Sequence, residues 1–383
     1  MGIKDLKNIL EFCDTRCQWL IETTTALVQL ESPTANKFAV DRCGFELARR
    51  LRTLGANVDA IESETTGNHL RATFGKGPAQ LLLLGHFDTV WPLGQIEHMP
   101  LRQQDGRLSG PGVFDMKAGI VIGMLALSAL RQLGLGLTRR VVMLLTADEE
   151  LGSKSSRTLI ETEACQSDAV CVLEPALPGG GLKTSRKGTG EFELTIHGVS
   201  AHAGLEPEKG ASAISELAAQ IVTVDGLAAP ERGRTVNVGV VEGGSRANVV
   251  AEQARAVIDV RVETTIDARR FEEELYALKP QRFGTSLNVQ GGFSRLPLER
   301  TEEVVSLYKM AREVASQLGY TLSEGPAGGA SDGNLTAALG VPTLDGLGAV
   351  GAGAHARHEY VEIDQLARRA ALVAGLLLRI DAA

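Results

Sequence analysis

Residues 81–90 read LLLLGHFDTV. Four leucines in a row leave no polar face, and the run is too short for an ordinary helix, so it reads as a strand covered on both sides. His86 and Asp88 close it two positions apart, and residues i and i+2 of a strand share a face. The carboxyl ends of such strands are where open α/β sheets bind ligands. Working outward, VVMLLTA (141–147) and AVCVLEP (169–175) are strands of the same kind, with helices expected near 116–133 and 153–164. Helical periodicity covers 1–32 and 36–55, the second stretch stopping at Gly55, a residue type that commonly caps helices. In the C-terminal part a helix is expected over 299–319, a strand over 341–348 and a closing helix over 363–380. Buried strands alternating with helices predict an α/β fold, a mostly parallel sheet flanked by helices.

The stretch between reads differently. EFELTIHG (191–198) alternates with period two, ASAISELAAQIVTV (211–224) is helical, and RTVNVGVVEG (234–243) and ARAVIDVRVE (254–263) are strand-like. A helix near 267–278 and a strand at 286–290 follow. The order β-α-β-β-α-β is that of a ferredoxin-like α+β unit. The expected organisation is a larger domain from 1–183 and 294–383, with a small domain, 184–293, inserted into it.

With 383 residues, 44% hydrophobic and 22% charged, the chain is globular in composition and long enough for a sizeable core. Its net charge of −8 argues against a nucleic-acid or anionic-membrane partner, since such binding draws on a basic surface. The longest apolar stretch, Gly119–Leu130, falls short of the roughly 20 residues that cross a bilayer and reads as a core helix. Asp5 and Glu11 interrupt the N-terminus where a secretory peptide needs an apolar region, so the expected location is cytoplasmic. The five cysteines (13, 17, 43, 165 and 171) show no CxxC pairing and are read as buried free thiols, with Cys165 and Cys171 in or beside core elements.

Chemistry-bearing residues fall at the ends of the expected strands. Besides His86 and Asp88 there are Asp115 in GPGVFDMKAG, Asp148, Glu149 and Glu150 in TADEELG, Glu174 in LEP, and His355 and His358 in GAHARHEYV. Carboxylates gathered at one sheet edge repel one another unless a cation neutralises them. Imidazoles and carboxylates without cysteine suit Zn, Mn or Co, and more than four ligands suggest two ions. A carboxylate not used as a ligand can then take a proton from a water that the metal acidifies. A second signal, GLGAVG (346–351), matches G-x-G-x-x-G after a strand, but no helix follows at once to meet a pyrophosphate, so an NAD-dependent oxidoreductase is disfavoured.

The ordered motifs GHFDTV, GPGVFDMKAG, TADEELGS, EP, GVSAHAG, GGASDGN and GAHARHEYV, covering the chain from about residue 80 onward, resemble the zinc aminoacylase and carboxypeptidase family of co-catalytic metallopeptidases. Glu174 in the EP motif and the GFSRLPLERT stretch bring the chain nearest to bacterial glutamate carboxypeptidases of the carboxypeptidase G type. The resemblance implies two Zn2+ per subunit, with Co2+ or Mn2+ as alternatives. Asp115 would bridge them, His86 and Glu174 completing one site and Glu150 and His355 the other. His355 is chosen over its competitor His358 because the family's ligand stands four or five residues before the Glu of the EYV element, here Glu359. Glu149 would be the general base and Asp88 would orient His86, while Asp148 is taken as a solvated neighbour. In the inserted, dimerising domain, His202 would polarise the scissile carbonyl of the partner subunit's substrate in a homodimer. Asn248 and Arg261 match positions that contact the substrate carboxylate; Arg295 is a further clamp, and Gly328 and Gly329 suit a tight turn near the substrate. The expected reaction is hydrolysis of the amide bond before a C-terminal amino acid in a peptide or N-acyl amino acid. The alternatives are an N-acyl-amino-acid deacylase of the acetylornithine deacetylase type and, against the retained Glu149, a binding protein without turnover.

Overall fold

In the computed structural model, which describes residues 3–383, the chain opens with three helices, α1 (Ile3–Asp14), α2 (Cys17–Gln29) and α3 (Lys37–Thr53). The single helical stretch expected over 1–32 is thus two helices, parted at Thr15–Arg16, and residues 1–2 lie outside the described residues. Asn36 caps α3 by accepting from the Ala39 N–H at 3.1 Å. Strands β1 (Asn57–Ile61), β2 (His69–Phe74) and β3 (Gln80–His86) follow. Then come the short helix α4 (Gln95–His98) and a hairpin, β4 (Arg102–Gln104) and β5 (Arg107–Ser109), turned by Asp105 (φ 50°) and Gly106 (φ 74°), the Asp-Gly pair such two-residue turns favour. Next are α5 (Ala118–Gln132), β6 (Arg140–Thr146), α6 (Arg157–Cys165), β7 (Ala169–Val172) and β8 (Leu182–Arg186).

The chain divides into two units. One holds the described residues through Ser185 with Arg300–Ala327 and Ser331–Ala383; the other holds Arg186–Glu299 with Gly328–Ala330. In the second, β9 (Gly188–His197), α7 (Ala213–Asp225), β10 (Thr235–Gly243), β11 (Gln253–Val262), α8 (Thr265–Tyr276) and β12 (Ser286–Arg295) form an antiparallel sheet in the order β10-β11-β9-β12. Alternate residues of β9 and β11 are buried, among them Phe192, Leu194, Ile258 and Val260, and with Leu217 and Phe271 of the two helices they make this unit's own core. The unit runs to Glu299 rather than 293. Strand β12 continues to Arg295 opposite Thr189, and Arg186 and Leu298 exchange backbone hydrogen bonds at 2.9 and 3.1 Å. Gly328–Ala330 belong here too rather than with the larger unit, the Gly329 carbonyl accepting from the Arg186 guanidinium at 3.0 Å.

The larger unit is completed by α9 (Glu302–Gln317), β13 (Glu324–Ala327), α10 (Asp332–Ala338), β14 (Thr343–Leu344), β15 (Gly351–Ala352), β16 (Tyr360–Glu362) and α11 (Ile363–Asp381). Its main sheet runs β1-β2-β6-β3-β7-β14, with β6, β3, β7 and β14 parallel and β1 and β2 antiparallel at one edge. All seven residues of β3 are buried. Leu81 and Leu83 join the large core beneath α5 and α11, while Leu82 and Leu84 face a second cluster with Ile160, Ala164 and Leu335 of α6 and α10. Two-sided burial explains the unbroken leucine run, each fully buried leucine contributing about 1.5 to 3 kcal/mol.

The helical stretch Val113–Gln132 is long and apolar enough by composition to span a bilayer, yet it is almost wholly buried inside this unit, so its apolarity is that of a core helix. Cys13, Cys43 and Cys171 are buried, whereas Cys17 is half-buried and Cys165 is exposed at the end of α6, which corrects the expectation of buried thiols throughout. The glycines of GLGAVG serve packing. A side chain at Gly348 would meet the Leu173 carbonyl at 2.1 Å, and Arg369 of α11 donates to the Gly348 and Gly180 carbonyls, each at 2.8 Å.

Candidate metal centre

The parallel strands deliver their ends to one edge. His86 is the last residue of β3 and is 2% exposed. Its Nδ1–H donates to the Asp88 carbonyl at 3.1 Å with the Asp88 Oδ1 at 3.4 Å, which leaves Nε2 to face a cation. Asp88, fully buried, accepts from the Thr34 hydroxyl at 2.7 Å and from the backbone N–H groups of Glu149 and Glu150 at 3.3 and 3.2 Å. One carboxylate therefore holds both the imidazole and the turn that carries Glu149 and Glu150. Asp148 was expected to be solvated, but it is 1% exposed and its Oδ2 accepts from the Ser155 N–H and hydroxyl, each at 2.7 Å, fixing the next turn.

Asp115 lies between two rings. Its Oδ1 is 3.2 Å from His86 Nε2 and its Oδ2 is 3.3 Å from His355 Nε2. Glu174 Oε1 stands 3.4 Å from the first ring nitrogen and Glu150 Oε2 3.1 Å from the second. Glu174 sits two residues past the end of β7, since the strand expected over 169–175 closes at Val172. Lys183 Nζ is 3.9 Å from Glu174 Oε2. His355 takes a left-handed backbone, φ 58°, which is uncommon for a residue with a side chain and is found at functional turns. His358, three residues on, is exposed and lines a separate cavity.

The donor set tests well for divalent metal. Ligand atoms of His86, Asp115 and Glu150 lie within 4.8 Å of one another, and Glu150 Oε1 is a buried oxygen with no hydrogen-bond partner. Donors around a tetrahedral zinc at about 2.0 to 2.1 Å stand about 3.3 Å apart, close to the separations found here. The electrostatics agree. Burial opposes charge on His86, yet Asp115, Asp88 and Glu174 hold its pKa well above the ordinary histidine value. His355 is pushed up to about 10 by the Asp115 and Glu150 carboxylates. Burial raises Glu150, while Asp115 is lowered against its own burial by hydrogen bonds to both rings. A bound cation would take the place that a proton on each ring nitrogen otherwise fills, so metal binding would be favoured as pH rises.

Glu359 is the residue the sequence reading passed over, using it only as a landmark. Its buried carboxylate accepts four hydrogen bonds: Oε1 from the N–H groups of Phe114 and Asp115 at 2.9 and 3.0 Å, Oε2 from Gly112 N–H and the Trp91 indole, each at 2.9 Å. It clamps the loop that presents Asp115, across about 245 positions of sequence that no local spacing reveals.

The remaining expected residues lie in the second unit. His202 is exposed, and its Nδ1 accepts from the Gly204 and Leu205 N–H groups at 3.1 and 3.2 Å, so the ring hydrogen sits on Nε2, pointing outward as a donor. The Asn248 carbonyl accepts from Ala203 N–H at 3.0 Å, pairing its loop with the His202 turn. Arg261 and Arg295 both stand opposite Thr189, so they share one row across the sheet on either side of β9. Arg261 is engaged bidentately by Asp259, both bonds at 2.9 Å.

The chain is 28% identical to carboxypeptidase G2 of Pseudomonas sp. (strain RS-16) over 373 residues, 95% of this chain and 89% of that protein. It is 29% identical to succinyl-diaminopimelate desuccinylase of Stenotrophomonas maltophilia (strain R551-3) over 345 residues, 85% of this chain and 90% of that protein. Among solved structures the fold matches aminopeptidase PepT from Bacillus cereus ATCC 10987, TM-score 0.80, at 22% identity over 95% of this chain and 98% of that one. It also matches Bacillus subtilis YXEP protein, described as a dinuclear metal binding peptidase, TM-score 0.72, at 14% identity over 96% of this chain and 99% of that one. The model of peptidase family M20/M25/M40 matches residues 82–379, the span that carries every residue placed above at the two imidazoles, and the chain belongs to that family.

Proposed function

We propose that the protein is a two-zinc hydrolase of the amide bond before a C-terminal amino acid, a glutamate-type carboxypeptidase. The observation that carries this reading is Asp115, one carboxylate whose two oxygens face two imidazoles, each ring backed by its own glutamate. Bound there, divalent cations supply Lewis-acid polarisation of a carbonyl and acidify water. His86, Asp115 and Glu174 would hold one ion and His355, Asp115 and Glu150 the other, with Co2+ or Mn2+ as substitutes for zinc. Glu149, on the turn anchored by Asp88, takes the proton of the attacking water on its carboxylate and returns it to the leaving amine. His202 donates its Nε2–H to the developing oxyanion. Arg295 clamps the substrate carboxylate, with Asn248, Arg261 and Gly329 beside the bound peptide or N-acyl amino acid. The working form is a homodimer joined through the second unit, whose edge strand β10 exposes Val240 and Val241.

Similarity to the desuccinylase favours one second reading, an N-acyl-amino-acid deacylase of the acetylornithine deacetylase type using the same residues with a different pocket. Metal analysis followed by hydrolysis of a panel of peptidyl and N-acyl amino acids, with and without chelator, separates the two. Glu149→Ala should keep its metal and lose roughly 10²- to 10⁴-fold in rate. Loss of metal in that variant would overturn the role given to Glu149.

A further inference from the structure

Behind the turn that carries His355 and Glu359, the larger unit has a surface cavity of about 560 Å³ built from the end of α4, the β4–β5 hairpin and the start of β16. Arg102, Arg107 and Arg357 line it, together with His98 and His358. The chain as a whole carries a charge of −8, and its other arginines are commonly ion-paired: Arg50 with Glu46, Arg71 with Glu163, Arg139 with Asp168, Arg300 with Glu324. None of the ion pairs among the described residues involves the three cavity arginines, although Asp105 also lines the cavity and Glu362 stands opposite Arg107 across β5 and β16. Glu359 forms part of the wall, and its carboxylate already accepts from four donors. Arg107 is pre-set, its guanidinium stacked on the Tyr360 ring 4.1 Å from the centroid, which leaves its edge donors free for a ligand.

The three arginines are solvent-exposed, so their mutual repulsion is screened, but lining one cavity they would add their attractions on an anion that enters it. From this shared lining we propose that the cavity is a binding site for a compact multivalent oxyanion, a phosphate monoester or a small polycarboxylate. Both present planar pairs of oxygens that a guanidinium fork grips with two parallel bonds. The volume suits a small molecule. Glu359 is shared by the cavity wall and the clamp on the Asp115 loop, but none of His86, Asp115, Glu150, Glu174 and His355 lines the cavity, and its existence does not depend on which amide bond the enzyme cleaves.

The test is titration calorimetry on the metal-loaded protein with three probes: inorganic phosphate, glycerol phosphate and tricarballylate. At least one should bind saturably, more weakly as salt rises. Affinity should fall about tenfold or more in Arg357→Gln and further in the Arg107→Ala/Arg357→Ala double variant, with metal content unchanged. Arg357→Gln removes no internal hydrogen bond, so its folding is not in question, and Arg49→Ala, an exposed arginine elsewhere, should bind as the wild type does. Preference for glycerol phosphate or for tricarballylate assigns the ligand as phosphorylated or polycarboxylic. Failure of all three probes to bind would overturn the proposal. So would equal affinity in the double variant, because the anion would then be sitting on the metals.

Discussion

Glu359→Gln tests how the bridging carboxylate is held. In the wild type both carboxylate oxygens accept two hydrogen bonds each, from Phe114 and Asp115 on one side and from Gly112 and Trp91 on the other. Glutamine keeps one accepting oxygen and turns the other into an NH2 group that faces two N–H donors. Two buried donors lose their acceptor at about 1 to 3 kcal/mol each. Part of that is offset, because burial pushes the Glu359 carboxyl up and the neutral amide is spared this cost. A net loss near 2 kcal/mol, falling on the loop that places Asp115, would weaken metal binding about thirtyfold, since each 1.4 kcal/mol is tenfold. Both ions should be affected, because Asp115 faces both rings. Competition against a chelating dye gives the two dissociation constants, and circular dichroism confirms the fold. Glu359→Asp, which keeps the charge, should lie between. If only one ion is weakened, Asp115 does not serve both sites; if neither is, while global stability falls, Glu359 supports the fold and not the centre.

His355→Ala should lower metal occupancy and activity together, whereas His358→Ala should keep two ions; plasma emission analysis of the purified variants decides, and the opposite pattern would exchange the two histidines. Arg295→Ala should raise KM for substrates with a free α-carboxylate far more than for the matching amides, by the loss of a contact worth about 1.5 to 3 kcal/mol, and equal effects on both would remove Arg295 from the carboxylate site. In the second unit burial alone would raise Glu216, but hydrogen bonds from Gln220, the backbone of Gln281 and Arg282, and Thr285 hold its pKa below the ordinary glutamate value. Its folded pKa being depressed, its stabilisation is present above the unfolded value of about 4.3 and lost as pH falls through the folded value. Urea unfolding between pH 3 and 7 should therefore show a flatter acid limb in Glu216→Gln, and an unchanged limb would refute the role. Mixing His202→Ala with Glu149→Ala under subunit exchange should restore activity if His202 serves the other chain's site, and no recovery despite proven exchange would sink that arrangement.

The chain's local patterns were enough to put the candidate ligands at the ends of neighbouring strands. A parallel sheet points the carboxyl ends of its strands to one edge, so motifs that end LLLLGH and LLTADEE, and the LEP just past AVCV, had to arrive together whatever the details of packing. Period two in EFELTIHG and ARAVIDVRVE likewise marked a sheet with one covered face. Other features have no local signature. The antiparallel edge strands β1 and β2 sit in stretches of mixed polarity and carry no readable period, while the strand expected over 341–348 is paired only at Thr343–Leu344 as β14. Leu173 and Glu174 read as a continuation of the strand, yet Glu174 lies beyond its last paired residue and faces His86.

Which of two histidines three residues apart meets Asp115 depends on the left-handed turn at His355, and that turn is held by Glu359 against a loop some 245 positions earlier in the chain. Asp148, polar and between strand and helix, reads as a surface residue; only packing shows that it is buried to fix the turn after Glu150. Residue types and strand-end positions, set by periodicities of a few residues, were therefore legible from the sequence alone. The pairing of those residues and the orientation of each ring and carboxylate were settled by contacts between distant segments, and such contacts exist only once the sheet has formed.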